Sequence, residues 1–325
     1  MKILITGGAG FIGSNFVHHI LENDKKNEII VLDKLTYAGK KENLEDVKDK
    51  ITLIKGDITK RNDIEKVEKC DAIINFAAET HVDRSILNAG NFILTDIFGL
   101  YNLLEYSRKN DIEKFIQIST DEIYGHIIDG SFKESDKPEP RNPYSASKAG
   151  ADLLCMSYFE TYGLPVSITR STNNYGPYQH LEKFVPKSII YSLLNKKIPL
   201  YGKGENVRDW IYVKDNCEAI KLVFEKGKNG EIYNIAGKNE IKNIDMLKMI
   251  LKYTRKAEKL IEFVKDRPGH DIRYSLNINK IKSLGWTPKT SFDEGIKNTI
   301  KWYESNQWFW EPILKNETID FHSKF

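Results

Sequence analysis

The stretch Ser119-Thr120-Asp121-Glu122-Ile123-Tyr124-Gly125, with Tyr144 and Lys148 close behind it, gathers a surplus of proton-handling groups. Tyr144 and Lys148 stand at i and i+4 in a predicted helix over Tyr144–Tyr162, so they share one face. A free tyrosine has a pKa of about 10, and bringing it to neutrality takes about 4 kcal/mol of preferential phenolate stabilisation. A neighbouring ammonium, helped by the positive ring of an oxidised nicotinamide, is a source of it. Asp121 and Glu122 directly follow an apolar strand, Lys114–Ile118. That places them at the carboxyl edge of a sheet, where open α/β folds bind ligands. Two carboxyls held in different environments divide the work of acid and base. Thr120 stands beside them as a hydrogen-bond partner for the oxygen that Tyr144 deprotonates. Simple alcohol oxidation needs only one such group, so the excess points to oxidation in the service of loss of water. The plainer alternatives are a solvated acidic loop and an exposed helix pair; the nucleotide fingerprint upstream favours chemistry.

These groups need a frame. Lys2–Thr6 is a short apolar run that leads straight into Gly7-Gly8-Ala9-Gly10-Phe11-Ile12-Gly13, after which Phe16, Val17, Ile20 and Leu21 recur at helical spacing. Further strand-like runs lie at Glu28–Leu32, Ile51–Lys55, Asp71–Phe76, Lys114–Ile118 and Pro165–Thr169, with helical patterns at Asp63–Lys69, Phe92–Lys109 and Tyr144–Tyr162 between them. Continuous apolar strands alternating with helices predict an α/β fold, a Rossmann-type doubly wound parallel sheet. Gly7, Gly10 and Gly13 let the backbone turn sharply and approach a pyrophosphate, which the helix N-terminus then receives. Asp33 ends the next strand twenty residues past Gly13, placed to accept from a ribose diol and repel a 2′-phosphate. NAD is therefore expected over NADP. Asp57 and Ile58 are expected at the adenine ring, and Ala77 and Ala78 are small enough for the backbone to pass near the cofactor.

At 325 residues the chain exceeds the usual single domain, and 49 basic residues against 46 acidic give a formal charge of +3 with no basic block. That balance argues against nucleic acid as a partner. No apolar run approaches the roughly 20 residues of a membrane span, and the N-terminus has no long apolar core or cleavage site of a signal peptide. Cys70, Cys155 and Cys217 fit reduced, cytoplasmic thiols, and no metal-ligand cluster is evident. Beyond Thr169 the pattern loosens into a smaller, interleaved C-terminal substrate domain. The expected division gives residues 1–170, with a returning segment at about 206–236, to NAD, and residues 171–205 and 237–325 to substrate. Trp302, Trp308 and Trp310 read as packing.

The whole pattern resembles the extended short-chain dehydrogenases/reductases, and among them the dTDP-glucose 4,6-dehydratases. The resemblance is carried by Gly7–Gly13, Asp33-Lys34-Leu35-Thr36-Tyr37-Ala38-Gly39, the run from Ala77 to Ser85, Ser119–Gly125, Tyr144–Lys148, Asn173-Asn174-Tyr175-Gly176-Pro177, Arg208-Asp209-Trp210 and Arg267-Pro268-Gly269-His270-Asp271. Thr80 stands where Ser is expected, Leu181 where Pro is usual and Ile272 where Arg is common. The resemblance implies tightly held, recycled NAD touched also by Phe11, Ile12, Lys34, Leu35, Thr36 and Thr95, with Tyr144, Lys148 and Asn174 near the nicotinamide. It implies that Tyr144 takes the proton of the sugar 4-OH with Lys148 and Thr120 assisting. Glu122 then removes the C5 proton as Asp121 protonates the departing 6-OH, and the hydride taken from C4 returns to C6. It further implies contacts to a nucleoside-diphosphate glucose from Thr80, Thr120, Asn173, Glu182, Lys183, Phe184, Pro199, Leu200, Tyr201, Arg208, Asn243, Arg267 and His270, in a homodimer. An NAD-dependent UDP-sugar epimerase or decarboxylase would share Tyr144 and Lys148 but has no evident use for both Asp121 and Glu122. A non-catalytic nucleotide sensor could dispense with Tyr144 and Lys148 altogether.

Overall fold

A computed structural model of the protein describes residues 1–24, 26–317, 319–321 and 324. Seven parallel strands form the principal sheet in the order Glu231–Ile235, Val166–Ser171, Lys114–Thr120, Ala72–Asn75, Lys2–Thr6, Glu28–Asp33 and Ile51–Lys55. The central strands Lys2–Thr6, Glu28–Asp33 and Ala72–Asn75 are mostly apolar on both faces because both faces are covered. Ile3, Ile5, Ile29, Val31 and Ile74 pack with Phe16, Val17 and Ile20 of the helix Phe11–Asn23 and with Ile220 and Val223 of Val213–Lys226. Their neighbours Leu4, Ile30, Leu32 and Ile73 face Leu100, Leu103 and Leu104 of Leu100–Lys109 and Ala151 and Cys155 of Pro143–Tyr162. The chain builds outward from Lys2–Thr6 to Ile51–Lys55, then crosses back to lay Ala72–Asn75 on the other flank. That reversal opens a crevice at the carboxyl ends of the central strands.

Boundaries depart from expectation where local chemistry competes. Asp63–Lys69 holds only the four-residue helix Arg61–Ile64, since Ile64 and Val67 are the sole apolar residues of that run and can bury no more than one turn. The predicted helix Phe92–Lys109 starts at Gly90 and carries a π-helical stretch, Ile93–Gly99, before its α-helical part. The strand expected to stop at Ile118 runs on to Thr120, and Asp121–Tyr124 is a short 3-10 turn. The seventh strand, Glu231–Ile235, is an addition: it lies at an edge, where half-exposed Glu231 and Ile232 blur the apolar signal.

The smaller lobe is built on Asn173–Tyr175, Val207–Tyr212 and Glu240–Lys242, with Ile198–Tyr201 and Ile261–Val264 paired beside them. Its core gathers Tyr175, Ile189, Trp210, Leu247, Ile250, Ile296, Tyr303 and Trp310. Trp310 donates to the Tyr303 carbonyl at 2.8 Å, and Trp302 packs against Tyr178 and Tyr303. Trp308 departs from the expected packing, being 48% exposed with its indole N–H on Asn306. Cys70, Cys155 and Cys217 are free and buried. Among the described residues no helix is long and apolar enough to cross a membrane, and no cluster of metal-ligating side chains occurs.

Candidate active site

The glycine turn is shaped by what a side chain would strike. At Gly7, φ is +67° and a Cβ would fall 2.6 Å from the Ala77 nitrogen; at Gly13 it would fall 2.3 Å from the Gly7 carbonyl oxygen. The helix Phe11–Asn23 therefore starts tight against the first strand, and its N-cap, Gly10, brings no side chain to the free N–H groups. Asp33 is buried at the neighbouring strand end, its carboxylate accepting from the Ala9 N–H at 2.9 Å and the Leu35 N–H at 2.8 Å. Desolvation pushes its pKa up against those two bonds. Leu35 takes φ +54°, which folds the exposed Lys34 and Thr36 around this corner. Lys34 pairs with Asp57 at 2.9 Å. Partial burial opposes ionisation of Asp57, but Lys34 and Thr59 outweigh it and hold the carboxyl low. Ile58 is buried on Gly99, while Phe11, Ile12, Ala77, Ala78 and Thr95 are half-buried around the crevice.

The acid-base residues meet at its far end. Thr120 Oγ1 accepts the Glu122 N–H at 3.3 Å and donates to Asp121 at 3.2 Å, which caps the Asp121–Tyr124 turn. Asp121 is 3% exposed, and its second carboxylate oxygen has no partner among the described residues. Burial first, then the Glu122 charge, raise its pKa well above the ordinary carboxyl range. Asn142 caps the helix Pro143–Tyr162 in a reciprocal box with Ser145 and also reaches Glu122 at 3.4 Å. Lys148 Nζ donates to the Ile118 carbonyl at 2.7 Å, keying this helix to the strand that delivers the carboxyls. Among the protein's own groups, burial and then Glu122 and Asp96 drive the Tyr144 phenol well above 10, with Thr120 a weaker opposing influence.

Asp96 is a site residue that motif spacing missed. It accepts Ser147 Oγ at 2.7 Å and the Glu79 N–H at 2.9 Å, and so joins the Tyr144–Lys148 helix to the loop after Ala72–Asn75. Burial raises its pKa to about 6 against the pull of Lys148. The sequence clue was a single charged side chain inside the otherwise uncharged run Phe92–Leu104.

A cavity of about 190 Å³ continues from Glu122 into the smaller lobe, where Lys183, Arg208, Arg267 and His270 converge with Asn173, Asn174, Phe184, Pro199, Leu200, Tyr201 and Asn243. Arg267 is held by Asp83 at 3.0 Å, and Asp83 also accepts the Tyr201 hydroxyl at 2.9 Å. Arg208 donates to the Asp271 carbonyl at 2.9 Å and lies over the Tyr274 ring at 4.3 Å. Burial and the two arginines push His270 down to about 4 despite Asp266 at 2.6 Å. Lys183 reaches the carbonyl of Thr80, whose own side chain is exposed. Glu182 lines the cavity with its two oxygens already engaged, one by the Tyr37 hydroxyl at 2.9 Å and the other by Arg84 at 2.8 Å. Burial disfavours its charge, yet His81, His180, Lys183 and Arg84 hold it to about 2. Asp83, Arg84 and Tyr37 thus support this wall from within motifs that had suggested no role for them. Buried oxygens of Ser119, Asp121, Asn173, Asn174, Gln179 and Asn243 have no partner among the described residues, a row of polar atoms matched to a polar ligand. With the uncapped helix start and Asp33, they fit an extended dinucleotide and a second phosphorylated molecule.

The profile of a family described as GDP-mannose 4,6 dehydratase matches residues 4–299. The low-salt glycan biosynthesis protein Agl12 of Haloferax volcanii is 49% identical over 306 residues, covering 93% of this chain and 98% of its own. A dTDP-glucose 4,6-dehydratase of Streptomyces niveus is 43% identical over 321 residues and 96% of each chain. The crystal structure of DesIV, a dTDP-glucose 4,6-dehydratase from Streptomyces venezuelae with NAD and TYD bound, superposes with a TM-score of 0.94 at 44% identity, covering 96% of this chain and all of that one.

Two outcomes are expected from this geometry. Gly13→Ala forces the first helix off the turn, and the purified variant should release no dinucleotide on acid precipitation where the parent releases about one per chain. Asp96, with a folded pKa of about 6 against 3.8 unfolded, favours the native state only while protonated. That contribution is whole below pH 4 and is lost as pH rises through 6. Urea midpoints should therefore show Asp96→Asn gaining on the parent by about 3 kcal/mol between acid and neutral pH.

Proposed function

The chain belongs to the GDP-mannose 4,6 dehydratase family, and from that premise we propose that it is an NAD-dependent hydro-lyase converting dTDP-glucose to dTDP-4-keto-6-deoxyglucose. The observation that carries the proposal is a buried Asp121, its pKa raised by desolvation, beside Glu122 and close to the Tyr144–Lys148 pair. NAD would be held along Gly7–Gly13 and by Asp33, where it would supply a reversible hydride acceptor for sugar C4 and C6 and, while oxidised, a positive ring that favours the Tyr144 phenolate.

Tyr144 takes the proton of the 4-OH, with Thr120 beside the same oxygen and Lys148 fixed behind it by Ile118. The resulting 4-ketone acidifies the hydrogen at C5. Glu122 removes that proton; Asp121 gives its own to the 6-oxygen, the C6–O bond breaks, and water leaves a C5–C6 double bond. Glu122 then returns a proton to C5. Asp121 suits the acid's part because burial favours its protonated form, and Glu122 suits the base's because its carboxylate opens to the substrate cavity. Lys183, Arg208 and Arg267 offer three cations to the diphosphate, while Pro199, Leu200 and Tyr201 border the base. In this reading residues 1–170 and the return from Val213 to about 236 frame the cofactor, while 171–205, the strand Val207–Tyr212 and 237–325 hold the sugar nucleotide, so the return begins later than the expected residue 206. Three free, buried thiols agree with work in the cytoplasm. An epimerase working through Tyr144 alone would leave Asp121 and Glu122 without a task.

A homodimer is part of the same proposal. Ile93, Leu94 and Phe98 of the π-helical stretch and Leu153 and Tyr162 of the adjoining helix Pro143–Tyr162 are all exposed, forming an apolar surface on the side of these helices away from the sheet.

Substrate deuterated at C4 should give product labelled at C6, and turnover in heavy water should place deuterium at C5; label lost to free cofactor would exclude the internal cycle. Glu122→Gln is expected to reduce bound NAD on mixing yet form keto sugar at least about 100-fold more slowly. Phe98→Glu with Leu153→Glu should halve the mass seen by sedimentation, and an unchanged mass would remove these helices from the interface.

A further inference from the structure

Behind the catalytic turn runs a buried chain of polar groups that no step of the proposed reaction uses. Asp152 lies one helical repeat beyond Lys148 and two beyond Tyr144, at i+4 and i+8 on the same face of Pro143–Tyr162. It accepts Arg170 Nε at 3.0 Å, with side-chain exposures of 1% and 4%. Arg170, from the strand Val166–Ser171, donates through Nη1 to the Tyr124 hydroxyl at 2.6 Å and lies over that ring at 4.7 Å. Tyr124 closes the turn Asp121–Tyr124 and donates onward to Asn234 Oδ1 at 2.9 Å. Asn234 is itself fixed from two sides, donating to the Phe132 carbonyl at 3.1 Å and to Glu134 at 3.0 Å. Phe132 stacks on Tyr124 at 5.0 Å and 12°.

Stability alone is a weak reason for this arrangement. A buried ion pair gives little net stability over an apolar replacement of similar size. The chain of bonds does join two things the reaction needs in register: the helix bearing Tyr144 and Lys148, and the turn bearing Asp121 and Glu122. Lys148 is anchored on Ile118 independently of it, whereas the far end of the turn is held by Tyr124. We propose that Asp152, Arg170, Tyr124 and Asn234 are positioning residues that fix the elimination carboxyls against the oxidation pair, so that both act on one sugar without its shifting between steps. The inference rests on the dehydratase reading above. Its consequence is selective: loosening the tether displaces Asp121 and Glu122 while leaving Tyr144 and Lys148 on their own anchor. Oxidation at C4 then continues, elimination lags, and the cofactor waits in its reduced form.

The test is Tyr124→Phe, which removes one hydroxyl and keeps the stacked ring, with Asn234→Ala loosening the same bond from its other end. Each is mixed with dTDP-glucose while nicotinamide absorbance and keto-sugar formation are followed together. Turnover is expected to fall roughly 10- to 100-fold with KM little changed, and reduced cofactor should accumulate in the steady state. Wild-type turnover in both variants, or a slowing with no reduced cofactor, would overturn the proposal and leave a purely structural network. If Tyr124→Phe proves poorly folded by thermal melting, the partition measured in Asn234→Ala decides alone. A wild-type protein that forms no keto sugar would instead strike at the dehydratase reading.

Discussion

Burial of the Asp121 carboxyl is the constraint on which the site depends. A carboxylic acid open to water would be ionised at neutral pH and useless as a proton donor to a departing hydroxyl. Here desolvation sets the sign of the shift, and the neighbouring Glu122 charge adds to it. The pair divides because its members differ in surroundings: Asp121 is sealed beneath the turn, and Glu122 opens to the cavity. One turn of backbone, capped by Thr120, makes that difference.

The same logic extends outward through the sheet. The crevice exists because the strand order reverses beside Lys2–Thr6, and its two banks are supplied by different parts of the chain. The glycine turn and Asp33 form one bank, and residues of the smaller lobe form the other. Tyr37 and Arg84 bridge them by meeting on Glu182, with the Arg84 guanidinium 4.0 Å over the Tyr37 ring. A cation–π contact and two bonds to one carboxylate thus span the groove that the cofactor and substrate would share.

What the sequence disclosed follows from range. The glycine turn, Asp33 and the Tyr144–Lys148 spacing are local, each fixed within a few residues by backbone geometry or helical period, and they were legible. So were the strands, since burial on both faces leaves an unbroken apolar run. Asp96 was hidden because its inward direction depends on the π-helical insertion, which no simple periodicity reveals. The opposition of Glu122 and Asp96 to ionisation of the Tyr144 phenol was not legible, because they lie 22 and 48 residues away. Glu182 lines the cavity, but its bonds to Tyr37 and Arg84, 145 and 98 residues distant, were not legible from its own neighbourhood. Long-range partners decide charge states, and charge states decide roles.

The edge strand Glu231–Ile235 pairs with Val166–Ser171, yet most of the smaller lobe's first part is made between them. During synthesis, then, the backbone groups along one margin of Val166–Ser171 stay open to solvent or to another chain until the ribosome has passed residue 235. The larger lobe is therefore no autonomous module: cut after residue 170, it would present a bare margin and lack Asn234, the far anchor of Tyr124. Closure of the large sheet's margin and anchorage of the catalytic turn thus wait on the same five residues, 231–235.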